Sequence, residues 1–259
     1  MSNGPNPFRA AWNMLYARRL KSPRPNGNVA VDHEPLSRVL DRLRSEGVRS
    51  LARASSDLAA YRDVLSSIDP NDLSPQESLA FWINLYNAGA LHRAGHAYAN
   101  DYGSVLRVPG AFSAPWATVA GESMSLDDME HGKIRRFGDP RIHGALVCGS
   151  ASCPTLRSEP FDGTRLDEQL DSQMRFFLAN GGGRLDRAEN TLHLTRVLKW
   201  YGADFVRPHK MPTLRPARAS DLAMAISRWL DPEDAVHVIA QKPRVVFASY
   251  DWGLGCSVA

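Results

Sequence analysis

The fold is decided by the stretch Ser74-Pro-Gln-Glu-Ser-Leu-Ala-Phe-Trp-Ile-Asn-Leu-Tyr-Asn-Ala-Gly-Ala-Leu-His92. Ser74 is a typical N-cap residue, Pro75 suits the first helical position, and Glu77 completes a capping box. The residues that follow are apolar around almost the whole circumference, which is typical of a helix buried on several sides. We therefore predict one buried helix over residues 75–95.

Asn84 and Asn87 interrupt this apolar helix on a single face, because they are three residues apart. A buried amide left without a partner costs about 1–3 kcal/mol, so each side chain is expected to hold a hydrogen bond. Two interpretations remain open. The asparagines bond loop backbone and fix the core, or they orient a catalytic group in a polar pocket.

The composition is that of an ordinary globular domain, with 259 residues, 43% hydrophobic and 23% charged. The 31 basic and 28 acidic residues are too balanced to indicate a nucleic-acid partner. No apolar run reaches the roughly 18 residues of a membrane span, and the N-terminal region shows no secretory signal. The three cysteines do not form a disulfide framework. These features predict a cytoplasmic protein with reduced thiols and with no membrane or nucleic-acid partner.

The order of the sequence patterns predicts an α+β fold. Residues 1–69 form a helical N-terminal platform, and residues 70–255 form a core domain in which the central buried helix packs on a small, mostly antiparallel sheet. Helices are expected at 7–20, 33–46, 48–54, 56–68, 126–136, 165–180 and 220–230. Strands are expected at 116–120, 123–125, 141–148, 191–195 and 244–252, followed by a frayed tail.

Several motifs carry a resemblance to a known family. They are Ala80–Ala88, Leu126–His131 before Asp139–His143, Cys148–Pro154, Lys199–Phe205 and Tyr250–Trp252. In this order, over roughly residues 70–255, they resemble the domain of unknown function 547 family. The family is remotely similar to papain- and transglutaminase-like folds, in which a nucleophilic cysteine normally begins the central helix. Here Ser74 and Pro75 begin it, which departs from that pattern.

Cys148 and Cys153 flank a loop of small residues, Gly149–Ser152, and are the candidate nucleophiles. Cys153 is the favoured one, because a position in a loop leaves it accessible. The alternative for Cys148 is an inert core thiol. A nearby cation favours the thiolate, and Arg141 and Arg157 are close in sequence. Cys256 is assigned no role.

His143 is the candidate base, and His131, next to Glu130, is the second candidate. In this hypothesis Asn84 and Asn87 orient the imidazole, as in Cys-His-Asn triads. The backbone amides of Gly149–Ser152 would form an oxyanion site. The alternative for each histidine is a structural hydrogen bond. Asp204 and Asp251 are expected to cap loops or to pair with arginine, with a role as a catalytic acid as the alternative.

Zinc is the competing use of the cysteine, histidine and Glu130 side chains, but no second clean ligand pair exists, so no metal is predicted. No phosphate-binding loop, dinucleotide fingerprint or His-Glu-x-x-His motif is present, and no cofactor is predicted.

Two functions remain. The first is a thiol-dependent hydrolase or transferase that acts on an amide or a thioester. The second is a non-catalytic module that binds a peptide or small ligand in a polar pocket. Thiol alkylation followed against pH separates them, because only the enzyme needs an activated thiolate.

Overall fold

The computed structural model describes residues 7–213 and 215–259, with side chains from residue 12 onward. The chain divides into two compact units. Unit 1 contains the described residues up to Phe137, together with Leu146–Leu166 and Asp251–Ala259, and unit 2 contains Gly138–Ala145 and Asp167–Tyr250.

Unit 1 is mainly helical. Its helices are α1 (Pro7–Tyr16), α2 (Glu34–Glu46), α3 (Ser55–Ser66), α4 (Pro75–Ala99) and α5 (Leu126–Gly132). Strands β1 (Pro115–Val119) and β2 (Glu122–Ser125) pair antiparallel as a hairpin. Short 3-10 helices lie at Ala17–Arg19, Val48–Ala52, Val105–Arg107 and Ile134–Phe137.

Helix α4 is the predicted central helix, and the prediction is confirmed. Ser74 Oγ accepts the Glu77 N–H at 3.1 Å, as an N-cap should. The capping box is not completed, because the Glu77 carboxylate instead accepts the Gly163 N–H at 2.8 Å and the Val31 N–H at 3.3 Å. The start of α4 therefore also anchors two neighbouring loops.

Two glycines let other elements approach α4 closely. A Cβ at Gly95 would lie 2.4 Å from the Leu51 carbonyl oxygen, and one at Gly89 would lie 2.8 Å from Trp116 Nε1. Trp116 of β1 donates its indole N–H to the Leu85 carbonyl at 3.3 Å. The hairpin is thus fastened to the central helix, as the sequence predicts.

Unit 2 combines helices with a mixed sheet. It contains α6 (Leu166–Phe177, whose first residue belongs to unit 1), β3 (Gly183–Asp186), β4 (Thr191–Leu194), α7 (Arg196–Val206), α8 (Ala219–Ile226), α9 (Pro232–Gln241) and β5 (Arg244–Phe247). The strand order is β3-β4-β5, with β3 antiparallel and β5 parallel to β4. Its core is an apolar cluster that includes Met174, Leu198, Phe205, Ile226 and Trp229.

The α+β class is confirmed, but several elements differ from the prediction. The strands form two sheets, and β3 and α9 were not predicted. The strand expected at 141–148 is wrong, because Pro140–Gly144 forms a 3-10 helix. Asp139 caps that turn by accepting the Arg141 N–H at 2.9 Å, and Pro140 fixes a helical φ.

None of the helices within the described residues combines the length and the apolar character needed to cross a membrane.

Candidate functional site

The two predicted nucleophiles lie side chain against side chain in unit 1. The sulfur atoms of Cys148 and Cys153 are 2.6 Å apart, and Cys153 Sγ accepts the Cys148 backbone N–H at 2.9 Å. Ser150 Oγ lies 3.0 Å from Cys148 Sγ and donates to Cys153 Sγ at 3.4 Å. The loop therefore gathers two thiols and a hydroxyl group within hydrogen-bonding distance.

The loop has this shape because Gly149 and a tight turn bend the backbone. Gly149 has φ +77°, and an added Cβ would lie 2.7 Å from Val105 Cγ2. The Cys153 N–H then donates to the Ser150 carbonyl at 3.1 Å and brings the second cysteine back to the first. The small residues predicted to form this loop are what allow it to fold so tightly.

The two asparagines of α4 are buried and hydrogen-bonded, as predicted. Asn84 holds the backbone of Phe161 on both sides, donating to its carbonyl at 2.7 Å and accepting its N–H at 3.0 Å. Asn87 Oδ1 accepts the Val147 N–H at 3.1 Å, next to Cys148. These contacts agree with the interpretation that the asparagines bond loop backbone. They also tie the cysteine loop to the central helix.

The C-terminal segment was predicted to be frayed, and this prediction is wrong. The segment is paired with the cysteine loop. The Ala151 N–H donates to the Gly253 carbonyl at 2.8 Å, and the Gly255 N–H donates to the Gly149 carbonyl at 3.1 Å. Further along, the Leu156 N–H donates to the Ser257 carbonyl at 2.8 Å. The tail is ordered because these loop and tail groups satisfy each other.

This pairing engages two of the four amides that were predicted to form an oxyanion site, those of Ala151 and Ser152. The Ala151 N–H is engaged by Gly253, and the Ser152 N–H donates to the Asp251 carbonyl at 3.3 Å. Amides already bonded to backbone carbonyls are not free to stabilise a developing oxyanion. Asp251 behaves as predicted, because its side chain caps the turn by accepting the Gly253 N–H at 2.8 Å.

A cavity of about 220 Å³ lies between the loop and the tail. Cys153 and Cys256 both line it, together with Val147, Ser150, Ala151, Pro154, Leu156, Gly255 and Ser257. Burial raises the pKa of the Cys256 thiol to about 12, and the neighbouring Cys153 adds to the effect. Cys256 was assigned no role because no local pattern shows that the tail returns to a loop a hundred residues earlier.

His143 is buried in unit 2, where its Nε2 lies 2.8 Å from Asp204 Oδ2. Only 3% of His143 and none of Asp204 is exposed, and the Tyr201 ring stacks on the imidazole at 4.0 Å. A carboxylate bonded to one ring nitrogen fixes the tautomer of a histidine. Asp204 thus has an imidazole as a partner, which the expectation of a loop cap or an arginine pair did not include. The position of Asp204 within the motif Lys199–Phe205 was the feature of the sequence that could have pointed to this partnership.

His131 is buried in α5, in unit 1. Its Nδ1 lies 3.3 Å from Arg135 Nη1 and 3.7 Å from Glu130 Oε1, and Tyr86 donates to the other oxygen of Glu130 at 3.3 Å. These contacts join α4 to α5 through a buried polar cluster.

The two arginines expected to provide a positive field are paired with carboxylates. Arg157 lies 2.8 Å from Glu159 in unit 1, and Arg141 lies 2.7 Å from Asp139 in unit 2. Their charges are therefore largely compensated. Within residues 7–213 and 215–259, no group of three or more His, Cys, Asp or Glu side chains is arranged to hold a metal ion.

Comparison with known proteins gives one match. Residues 70–178 match the model of the family described as "Protein of unknown function, DUF547", a segment that contains α4, the hairpin, α5 and the cysteine loop. No curated protein and no solved structure matches the chain. The motifs Lys199–Phe205 and Tyr250–Trp252 lie beyond the matched segment. The resemblance to the DUF547 family is thus confirmed over residues 70–178.

Proposed function

We propose that the chain is a thiol-dependent hydrolase or transferase that acts on an amide or a thioester, with Cys153 as the nucleophile. One observation carries this proposal. Cys153 Sγ lies at the wall of the loop–tail cavity and receives the Cys148 N–H and the Ser150 hydroxyl. Hydrogen bonds donated to a sulfur atom favour its thiolate form, which is the reactive species.

The reaction proceeds through a covalent intermediate. The Cys153 thiolate attacks the carbonyl carbon of the substrate, and the leaving group takes a proton from the protonated base and departs as an amine or a thiol. Water or an acceptor nucleophile then gives a proton back to the base and attacks the resulting thioester, which releases the acyl product and restores the thiolate. Hydrolysis and transfer differ only in this second nucleophile.

His143 is the proposed base. Asp204 bonds its Nε2, so Nδ1 is the ring nitrogen left to exchange a proton. Asp204 is accordingly proposed as a positioning residue that holds the imidazole in one tautomer. The assignment of His143 to the cysteine chemistry stays a prediction from the sequence and is tested below by mutation.

The cavity limits the size of the group that binds. Its volume of about 220 Å³ is below the roughly 300–1,000 Å³ typical of sites for drug-sized ligands. We therefore propose a short acyl group or the end of a peptide as the substrate portion that enters it. A cytoplasmic compartment, where thiols stay reduced, belongs to the same proposal.

The test is turnover of a small acyl thioester by the purified chain and its variants. Cys153→Ala and His143→Ala are each expected to abolish turnover while the circular dichroism spectrum stays native. The double variant is expected to lose no more than either single one, because residues that act as a unit are not additive. His209→Ala, at an exposed histidine of unit 2, is the matched control and keeps full activity.

One observation favours the binding module as a second candidate. The amides of Ala151 and Ser152 are held by the tail, which takes away two of the four amides predicted to stabilise an oxyanion. The same series decides between the two. Unchanged turnover in both Cys153→Ala and His143→Ala contradicts the thiol mechanism and leaves the cavity as a binding site.

A further inference from the structure

The distance between the two sulfur atoms of the cysteine loop is informative in itself. Cys148 Sγ and Cys153 Sγ are 2.6 Å apart, while a disulfide bond measures about 2.03–2.05 Å. Neither cysteine forms a disulfide bond in the structure, and both are partly exposed. The two sulfur atoms would therefore have to approach each other by roughly half an ångström to reach bonding distance.

We propose that Cys148 and Cys153 are a reversible dithiol–disulfide couple that exchanges with low-molecular-weight disulfides. The couple shares Cys153 with the proposed acyl-transfer site. It does not require that activity, since only the two thiols and an external disulfide take part.

The exchange is balanced in two steps. First, the Cys153 thiolate attacks one sulfur of the external disulfide, which forms a mixed disulfide and releases one thiolate. Second, Cys148 loses its proton to solvent and attacks Cys153 Sγ, which forms the internal disulfide and releases the second thiolate. The external disulfide is reduced by two electrons, and the cysteine pair is oxidised by two.

The surroundings assign the order of attack. Cys153 lines the loop–tail cavity, whereas Cys148 is not among the residues that line it, so an external disulfide reaches Cys153 first. The Cys148 N–H and the Ser150 hydroxyl both point to Cys153 Sγ and favour its thiolate. Cys148 Sγ then lies nearest to resolve the mixed disulfide.

Cys256 is the competing partner, because it lines the same cavity as Cys153. Its raised pKa of about 12 keeps it a protonated thiol at neutral pH, and a protonated thiol exchanges slowly. The structure therefore favours the Cys148–Cys153 bond over any bond to Cys256. Oxidation of the pair would remove the Cys153 nucleophile, so it would also switch the proposed acyl transfer off.

The experiment equilibrates the full chain in buffers of reduced and oxidised glutathione, followed by acid quenching, alkylation and non-reducing tryptic digestion. Cleavage after Arg141, Arg157 and Arg244 places Cys148 and Cys153 in one peptide, Ile142–Arg157, and Cys256 in another, Val245–Ala259. The expected product is an unalkylated Ile142–Arg157 peptide that is lighter by two hydrogens. Its fraction should follow the glutathione ratio reversibly.

Cys256→Ser is the matched variant and is expected to leave the couple intact, whereas Cys148→Ser should stop at a mixed disulfide on Cys153. Three results overturn the inference: no oxidised Ile142–Arg157 peptide, an unresolved mixed disulfide in the unmodified chain, or a bond to Val245–Ala259. Because the readout is mass, it is independent of acyl transfer. An oxidised pair in a chain without turnover supports the couple and counts against the proposed function alone.

Discussion

At the scale of single residues, the polar positions inside α4 carry most of the information. The sequence shows that Asn84 and Asn87 need partners, because an unpaired buried amide is costly. It does not show which partners, since Phe161 and Val147 are separated from α4 by long stretches of chain. The structure gives both asparagines a backbone partner in a loop, so these contacts fix the loops to α4.

Replacement of Asn84 by leucine tests this role. The change leaves both the N–H and the carbonyl of Phe161 without their partner in the core. We expect Asn84→Leu to lower the free energy of unfolding by about 1–3 kcal/mol, measured by denaturant titration. Asn28→Leu, at an exposed asparagine of unit 1, is the control and should change it by less than about 0.5 kcal/mol. An equal loss of unfolding free energy in the two variants would contradict the role of Asn84 in fixing the loop.

The lowered pKa of His92, which also lies on α4, is expected to make the free energy of unfolding depend on pH. Burial lowers the pKa of its imidazole to about 4, and the guanidinium groups of Arg93 and Arg62 add to the effect. In the unfolded chain the value is about 6.5, so between pH 6.5 and 4 the unfolded state binds a proton that the folded state does not. The contribution of His92 to stability is therefore complete above pH 6.5 and declines as the pH falls towards 4.

Unfolding titrations between pH 4 and 7 check this expectation. His92→Gln should flatten the pH dependence in that window, by at most about 1.4 kcal/mol per pH unit. His209→Gln, at an exposed position, serves as the control. A dependence unchanged by His92→Gln would show that its imidazole is not held neutral.

At the scale of elements, the helices and the hairpin were the predictable part of the fold. Periodicity and capping signals depend on neighbouring residues, and α2, α3, α4 and the hairpin follow them closely. The same reasoning failed for residues 141–148, where an apolar run suggested a strand. Asp139 and Pro140 begin a turn there instead, and these local signals outweigh the apolar content.

The cysteine loop supplies a prediction that isolates one close contact. Gly149 and Gly121 both have φ +77°, but an added Cβ meets Val105 at 2.7 Å only at Gly149, while nothing lies within 4 Å at Gly121. Gly121→Ala should therefore cost only the left-handed backbone term, about 1–2 kcal/mol. Gly149→Ala should cost more than that and should also slow alkylation of Cys153. Equal losses of stability would mean that Val105 simply moves aside.

At the scale of the whole molecule, the sequence predicts the α+β class and the family resemblance, but not which distant segments meet. The cavity depends on the return of the tail from Asp251 to the loop near Ala151. Asp204 reaches His143 across a separation of 61 residues in sequence. Such contacts are set by tertiary packing and leave no periodic signature. That is why Cys256 and the partner of Asp204 were missed while Cys153 and His143 were named.

The covalent state of the cysteines is a prediction for the whole chain. None of the three forms a disulfide bond in the structure, and a reducing compartment would keep them as thiols. Titration with a thiol reagent under denaturing, non-reducing conditions, on protein isolated without added reductant and with air excluded, should count three thiols. A count of one would reveal a native disulfide and would remove the argument for a reducing compartment.

The central claim, that Cys153 is an acyl-accepting nucleophile, is tested most directly by trapping its intermediate. The chain is mixed with a small acyl thioester, quenched in acid and measured by intact mass and tryptic mapping. The account predicts one added acyl group on Cys153, released by hydroxylamine, and none in Cys153→Ser. An unmodified chain, or an acyl group carried by Cys148 or Cys256 instead, would contradict it.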